Sequence, residues 1–247
     1  MISAIRSELR KLLSVRSTYV IIIICMGIVG LFAGFGDGFR ATPQGLQSPG
    51  QLMSESFNAI VFVGLILAFA GLLLMGHEYR YNTIMYTLTI SNRRFKVLLA
   101  KLAVFTLFAV VTSLLMAFFS PLCTIIGAHL HGYKIGPQHF DYWSVIWRCL
   151  FVGWGYAMYA FILVTIMRNQ VGSIVTYLLV PLIGENILIH IFKSIDKYMP
   201  FTMLQSVAAP DSLGNHTTSA HAMTVALVYV VVGLVIGTVL FARRDAN

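Results

Sequence analysis

The sequence predicts an all-α polytopic membrane protein with six transmembrane helices, and its composition and patterning give the reasons. Hydrophobic residues make up 58% of the 247 residues and charged residues only 11%, whereas soluble domains carry about 25% charged residues. The apolar residues gather in six runs, each near the ~20 residues that a helix needs to cross a bilayer. Most charged residues lie between these runs or before the first one. A soluble globular class is therefore excluded.

The first predicted element is an amphipathic helix at residues 2–16. Leu9 and Leu12 continue an apolar helical face, and basic residues such as Arg6 and Arg10 occupy the other face. This pattern is typical of a helix that lies in the membrane interface with its basic residues toward the lipid headgroups. The same residues also suit a plain basic flank of the first span. Both interpretations place the segment in the cytoplasm.

The six predicted spans follow this helix in order. They cover residues 18–35, 57–75, 98–126, 143–167, 171–192 and 222–241. The third run is long enough to tilt, and Pro121 is expected to kink it or end it. After the fifth run, residues 193–221 make the last outer loop, whose first half is apolar enough for a short helix or a re-entrant segment.

The basic residues orient the spans. With the N-terminus inside, twelve of the 17 Lys and Arg residues fall on the cytoplasmic side and five on the outer side. This asymmetry over short loops predicts that both termini lie in the cytoplasm. It also accounts for the net charge of +8. Because no basic region stands apart from the spans, we expect membrane lipid and no nucleic acid as a partner.

The chain carries no motif of an enzyme. It lacks the phosphate-binding loop GxxxxGK[ST], the HExxH zinc motif and the nucleophile elbow, so any nucleotide hydrolysis must come from another chain. His129 and His131 lie close together in an outer loop, but no cysteine or carboxylate joins them at metal-ligand spacing. We therefore expect no catalytic residue, no metal site and no cofactor bound by this chain.

Glu185 and Asn186 are polar residues within the fifth predicted span. Glu185 lies about 20 Å along the helix from the start of that span, and ionisable groups at such depth usually face a bundle interior or a wet cavity. One interpretation is that these residues line a substrate path or an outer gate. The other is structural: the carboxyl group binds backbone freed by Pro181, or the outer loop. The depth alone does not separate the two.

The polar segment Gly76–Lys101 lies between the second and third spans. Its first half, residues 77–88, mixes tyrosines and apolar residues with charges, and we predict a short helix there that serves as a docking surface. Ser91 and Asn92 end that helix. The basic second half, from Arg93 to Lys101, is explained by membrane topology and needs no partner.

This segment and both ends of the chain resemble the type 2 ATP-binding-cassette permeases. The residues that carry the resemblance are Glu78-Tyr79-Arg80-x-x-Thr83-Ile84, Leu88, Arg93-Arg94 and Leu98-Leu99-Ala100-Lys101-Leu102 in the cytoplasmic loop, with Ser7-Glu8-Leu9-Arg10-Lys11-Leu12 at the start and Phe241-x-Arg243-Arg244-Asp245 at the end. The resemblance covers the whole chain, residues 1–247, as a single transmembrane permease domain.

The resemblance implies a subunit of a bacterial cytoplasmic-membrane transporter. Such a permease pairs with a second protomer, as a homodimer or a heterodimer, and binds two copies of a separate ATPase subunit that holds ATP and Mg. The first cytoplasmic loop would contain the coupling helix that contacts the ATPase. By position, Glu78, Tyr79, Arg80 and Thr83 belong to that helix. The translocation path would lie between the protomers, near spans two and five.

These features predict the permease of an ATP-driven exporter, and two alternatives stay open. A secondary transporter driven by an ion gradient usually carries several ionisable groups in the membrane, and here only Glu185 is available. Within the same family, an immunity or sensing complex could remove a membrane-active peptide. The sequence does not choose the substrate.

Overall fold

The structure, a computed structural model, describes residues 2–41, 58–81, 94–134, 142–192, 194–208 and 218–243. Every regular element within these ranges is helical. In chain order they are α1 (Ile2–Ser14), α2 (Arg16–Val29) with a π-helical continuation (Gly30–Phe39), α3 (Asn58–Arg80), α4 (Arg94–Leu130), α5 (Tyr142–Met167), α6 (Gln170–Leu179) with a π-helical continuation (Val180–Gly184), α7 (Glu185–Ile191), a 3₁₀ turn (Asp196–Tyr198), α8 (Pro200–Ala208) and α9 (Ser219–Arg243).

The predicted fold class, an all-α polytopic membrane protein, is confirmed. Five helical stretches in the described part of the chain are long and apolar enough to cross a membrane: Thr18–Phe39, Phe95–Leu130, Tyr142–Met167, Gln170–Ile191 and Ser219–Phe241. The helix at the second predicted span, α3, has 23 residues but is not among the five. The count of six spans therefore stays a prediction.

The third predicted span is longer than expected. The predicted span, residues 98–126, runs past Pro121, and its helix, α4, has 37 residues with Pro121 inside it. Of the two expectations for Pro121, a kink or an end, the structure excludes the end. Apolar residues continue on both sides of Pro121. A helix that opened among them would expose backbone polar groups to lipid, which costs more than the one hydrogen bond that proline removes.

Helix α5 is the centre of the bundle and packs against α3, α4 and α9. In its most apolar stretch 72% of the residues are buried, compared with 17% to 39% in the other four candidate spans. Its core residues include Val152, Tyr156 and Val164, all fully buried. Since α5 contacts most of the other spans, a displacement of α3 or α4 would pass to the rest of the bundle through it.

The amphipathic N-terminal helix forms as predicted, at Ile2–Ser14. Ile5, Leu9 and the buried Leu12 join an apolar cluster with residues of α2, α3 and α4, while Arg6 and Arg10 are exposed. Protein side chains therefore cover much of the apolar face that the sequence assigned to the membrane interface. The location of this helix in the interface stays a prediction.

The tight turn between the fourth and fifth predicted spans also forms hydrogen bonds to the last helix, α9. Arg168 adopts a left-handed backbone conformation with φ of 51°, and the side chain of Asn169 accepts a hydrogen bond from the backbone N–H of Gly172 at 3.1 Å to begin α6. The Arg168 guanidinium donates to the carbonyl oxygens of Leu240 and Phe241 in the last turn of α9. A cation is favourable at that end of a helix.

Candidate functional site

Four charged side chains from three helices meet at one end of the bundle. Glu8 and Lys11 come from α1, Glu78 from α3 and Lys101 from α4, and we call these four residues the ion cluster. The Lys101 Nζ lies 2.8 Å from Glu8 Oε2 and 2.7 Å from Glu78 Oε1. The Lys11 Nζ lies 2.8 Å from Glu8 Oε1 and 2.9 Å from Glu78 Oε1. Each lysine therefore joins both carboxylates.

Local sequence and apolar packing together place the ion cluster. Glu8 and Lys11 are three residues apart on a helix, so their side chains share one face of α1. Glu78 stands near the end of α3, and Lys101 about two turns into α4. Beneath the cluster the apolar side chains of Leu12, Met75 and Phe105 line a cavity of about 50 Å³ together with the four charged residues.

The ion cluster is largely withdrawn from water. The side chain of Lys101 is 6% exposed and that of Glu78 is 10% exposed, whereas that of Lys11 is 44% exposed. Removing one member of a buried pair typically costs about 3–5 kcal/mol, because the other charge is left without compensation. Exposed pairs contribute much less, about 0–1 kcal/mol. Lys101 should therefore contribute far more to stability than Lys11.

Burial and ion pairing oppose each other in the pKa values of the α1 residues. Burial by itself would raise the pKa of Glu8, but the charges and hydrogen bonds of Lys101 and Lys11 outweigh it and lower that pKa below its ordinary value. Burial would likewise lower the pKa of Lys11, and the carboxylates of Glu8 and Glu78 raise it above its ordinary value. Both groups are therefore charged at neutral pH.

The four residues predicted to couple to an ATPase do not share one environment in the structure. Glu78 is buried in the ion cluster, and its Oε2 accepts no hydrogen bond from the described residues. Tyr79 is half-buried and packs against the main apolar core. Arg80 is exposed, with its guanidinium 5.6 Å from the ring centre of Tyr81. Thr83 lies outside the described residues.

The predicted short helix at residues 77–88 does not begin where expected. Residues 77–80 form the last turn of α3, so the predicted start is wrong, and the part from residue 82 onward lies outside the described residues. Gly76 does not interrupt the helix. A Cβ at this position would lie 2.7 Å from the Gln170 side chain, so the glycine permits close approach of α3 and the start of α6.

Membrane topology alone does not explain Lys101, because its ammonium group pairs with Glu8 and Glu78 of the same chain. That the basic half needs no partner protein stays a prediction. Lys96, from the same basic segment, is exposed. The sequence did contain a signal: Lys101 stands inside the apolar stretch Val97–Phe105, where a lysine needs a counter-charge. Only four glutamates exist in the chain, so Glu8 and Glu78 were available candidates.

Glu185 and Asn186 point to different surroundings. The buried carboxylate of Glu185 accepts hydrogen bonds from the backbone N–H groups of Phe201 and Thr202, both at 2.8 Å, and from the Thr202 hydroxyl at 2.7 Å. It therefore satisfies free amides at the start of α8, where a negative charge is favourable. Asn186 is exposed and donates to the carbonyl oxygens of Pro181 and Leu182.

These bonds match the structural interpretation of Glu185, with the outer segment as its partner. The predicted short helix in the outer segment forms as α8, at Pro200–Ala208. The assignment of Glu185 and Asn186 to a translocation path stays a prediction. In the described part of the chain, no three His, Cys, Asp or Glu side chains lie close enough to hold a metal ion.

Comparison with known protein families identifies this architecture. The sequence model of a family described as ABC-2 family transporter protein matches residues 4–184. The chain belongs to this family. The matched range contains the whole ion cluster and every helix from α2 to α6. A search of curated proteins gives no match.

Membership in the ABC-2 transporter family makes the chain a permease subunit of the ABC type and a multi-pass membrane protein. The resemblance to the type 2 permeases is thereby confirmed. Permeases of this kind work with an ABC ATPase subunit, which agrees with the absence of a phosphate-binding loop from the full sequence. Glu185 stands just beyond the matched range, whereas Glu8, Lys11, Glu78 and Lys101 all lie within it.

Proposed function

We propose that this ABC-2 permease is the membrane subunit of an ATP-driven exporter in the bacterial cytoplasmic membrane. It pairs with a second permease protomer and with two copies of a separate ATPase subunit, which bind ATP and Mg. Both termini and the segment at residues 82–93 face the cytoplasm. The observation that carries the proposal is the ion cluster, because it connects α1 to the two helices that flank this segment.

The geometry supports mechanical coupling at this position. Helix α3 ends at Arg80 and α4 begins at Arg94, so a partner that displaces the intervening segment acts on both helix ends. Lys101 binds Glu78 of α3 and Glu8 of α1, and it therefore resists separation of the three helices. The displacement then passes to α5, which packs against both α3 and α4.

This proposal divides the predicted coupling residues by role. Glu78 acts inside the protein as a positioning residue, because it holds α3 against Lys101. Arg80 is exposed in the last turn of α3 and is the described residue that we expect to contact the ATPase. Tyr79 anchors that turn in the apolar core. Thr83 would belong to the contact surface itself.

Co-purification tests the proposal. The tagged permease, cross-linked in its native membranes and then purified, should bring with it an ATPase that contains a phosphate-binding loop. Arg80→Glu should reduce the recovered ATPase about tenfold, as expected for the loss of a charged contact at an interface. Lys96→Glu, at another exposed basic residue beyond the segment, is the matched control and should leave the recovery unchanged.

Two outcomes would overturn the proposal. The first is the absence of any phosphate-loop ATPase from the cross-linked complex together with transport that continues without ATP. The second is equal loss of ATPase in both variants, which would remove the assigned contact site. The ion-gradient alternative has little support, since the carboxylate on which it depends, Glu185, already accepts three hydrogen bonds. An immunity or sensing complex would share this architecture and differ in its cargo.

A further inference from the structure

An apolar groove lies between α4, α5 and α9, on a different side of α4 from the ion cluster. Its walls include Phe95 and Leu102 of α4, Ile162 of α5, and Gly233, Leu234 and Val239 of α9. Its volume is about 340 Å³, which is within the range of small-ligand sites. All three helices are candidate membrane spans, so the groove opens toward lipid.

The polar residues of the groove present no free hydroxyl donor to a ligand. The Thr165 hydroxyl donates to the carbonyl oxygen of Phe161 at 2.7 Å, and the Thr238 hydroxyl donates to that of Leu234 at 2.6 Å. Both bonds stay within the residue's own helix. The walls therefore offer mainly methyl and methylene groups, which suits a hydrocarbon chain better than a polar compound.

Basic residues stand at the same end of all three helices that form the groove. Helix α4 begins at Arg94, α5 is followed by Arg168, and α9 ends at Arg243. Lys96, one residue after Phe95 of the groove wall, is exposed. Basic residues next to a membrane span attract anionic lipid headgroups. The charge therefore complements an anionic headgroup above the apolar groove.

We propose that the groove binds one acyl chain of an anionic phospholipid, with its headgroup at the basic helix ends. The assignment of this lipid to the cytoplasmic leaflet rests on the orientation in the proposed function; the binding itself does not. The bound chain fills the space between α4 and α9. Because α4 also carries Lys101 of the ion cluster, the lipid supports the helix that we expect to move during coupling.

Photolabelling tests the proposal on the full-length permease in lipid nanodiscs. The probe is phosphatidylglycerol with a diazirine in one acyl chain, and the labelled peptides are identified by mass spectrometry. We expect labelling to concentrate at residues 95–102 and 233–239. Leu234→Trp should reduce it there about tenfold, the effect of losing about two buried methylene contacts. Ile236→Trp, an exposed neighbour on α9 outside the groove, should not.

A second variant tests the contribution of the acyl chain to binding, and a comparison of two lipids tests that of the headgroup. Leu99→Trp fills the groove from α4 and should reproduce the loss if Leu234→Trp fails to fold. Unlabelled phosphatidylglycerol should compete about fivefold better than phosphatidylcholine with the same chains, since one nearby Lys or Arg is worth about that factor. Arg94→Gln with Lys96→Gln should abolish that preference, whereas Arg6→Gln with Arg10→Gln on α1 should keep it.

Three results would overturn the proposal. Even labelling of all lipid-facing helices would mean ordinary solvation, and equal competition by both lipids would exclude the headgroup site. Disulfide-linked dimers of a Val235→Cys variant in nanodiscs would show that a second copy covers the groove. The assay contains no ATPase, so lipid binding can fail while ATPase co-purification succeeds, and the reverse.

Discussion

Glu78 and Glu185 are both buried glutamates, but they stand at different places in the bundle and have different partners. Glu78 binds the lysine side chains of α1 and α4, whereas Glu185 binds backbone amides at the start of α8. Side-chain ion pairs depend on the charges of mobile groups, and backbone amides keep a fixed place and charge. The ion cluster therefore depends on the charge of side chains from three helices, whereas in the Glu185 contact only the carboxylate can change its charge.

The largest expected effect comes from removing the buried cation of the ion cluster. Lys101→Met leaves Glu8 and Glu78 with only the half-exposed Lys11, so the free energy of unfolding should fall by about 3–5 kcal/mol. Unfolding of the purified protein in detergent with a chemical denaturant measures this loss. Lys96→Met is the matched control at an exposed lysine and should change stability by less than about 0.5 kcal/mol. Similar losses in both variants would contradict the assignment of Lys101.

Replacing Glu185 tests its contact with the backbone amides at the start of α8. Glu185→Gln preserves the shape of the side chain but places an amide NH₂ where backbone donors point, so stability should fall by about 1–2 kcal/mol. Transport measured at equal expression provides a second readout. Transport at the wild-type level would exclude a role in the translocation path, whereas lost transport with unchanged stability would contradict the structural interpretation.

A smaller effect is expected at the exposed member of the ion cluster. Lys11→Met should reduce stability by less than about 1 kcal/mol, because Lys11 is partly solvated and Lys101 still neutralises the carboxylates. The same denaturant unfolding measures this variant, and high salt should weaken its effect further. A loss of stability equal to that of Lys101→Met would show that the contributions of the two lysines to stability do not follow their burial.

The pH dependence of stability gives the smallest and most specific test. Because the pKa of Glu8 is lowered in the folded protein, its stabilising contribution is present above the ordinary glutamate pKa and is lost as the pH falls through the lowered value. Glu8→Gln should flatten the acid limb of a plot of unfolding midpoint against pH. Because the pKa of Lys11 is raised, its contribution is lost only at alkaline pH. An unchanged acid limb in Glu8→Gln would contradict the pairing.

The general fold was predictable because the thickness of the bilayer sets the length of the hydrophobic runs in the sequence. Tyr142–Met167 and Gln170–Ile191 lie within one residue of the predicted spans. At Pro121 local propensity left a kink or an end of the helix open, and the apolar residues on both sides required continuity. Local propensity did not decide between the two outcomes, whereas the surroundings of the helix did.

The ion cluster could be anticipated only in part. The position of Lys101 inside an apolar stretch required a counter-charge, but neither periodicity nor charge counting says that α1 returns to supply Glu8. Glu78 was singled out as a contact to an ATPase, and its burial beside Lys101 was not foreseen, because the sequence does not show which face of α3 meets α4. Such pairings depend on tertiary contacts between residues up to 93 positions apart.

The length of α4 has a geometric consequence for transport. Its 37 residues extend about 55 Å, well beyond the ~30 Å hydrocarbon core of a bilayer. From Lys101 to Leu130 the helix measures roughly 44 Å, so a rotation of about 10° centred on the ion cluster would sweep its distant end through roughly 8 Å. A rigid α4 that turned about Lys101 would therefore convert a small displacement at one membrane surface into a larger one at the other.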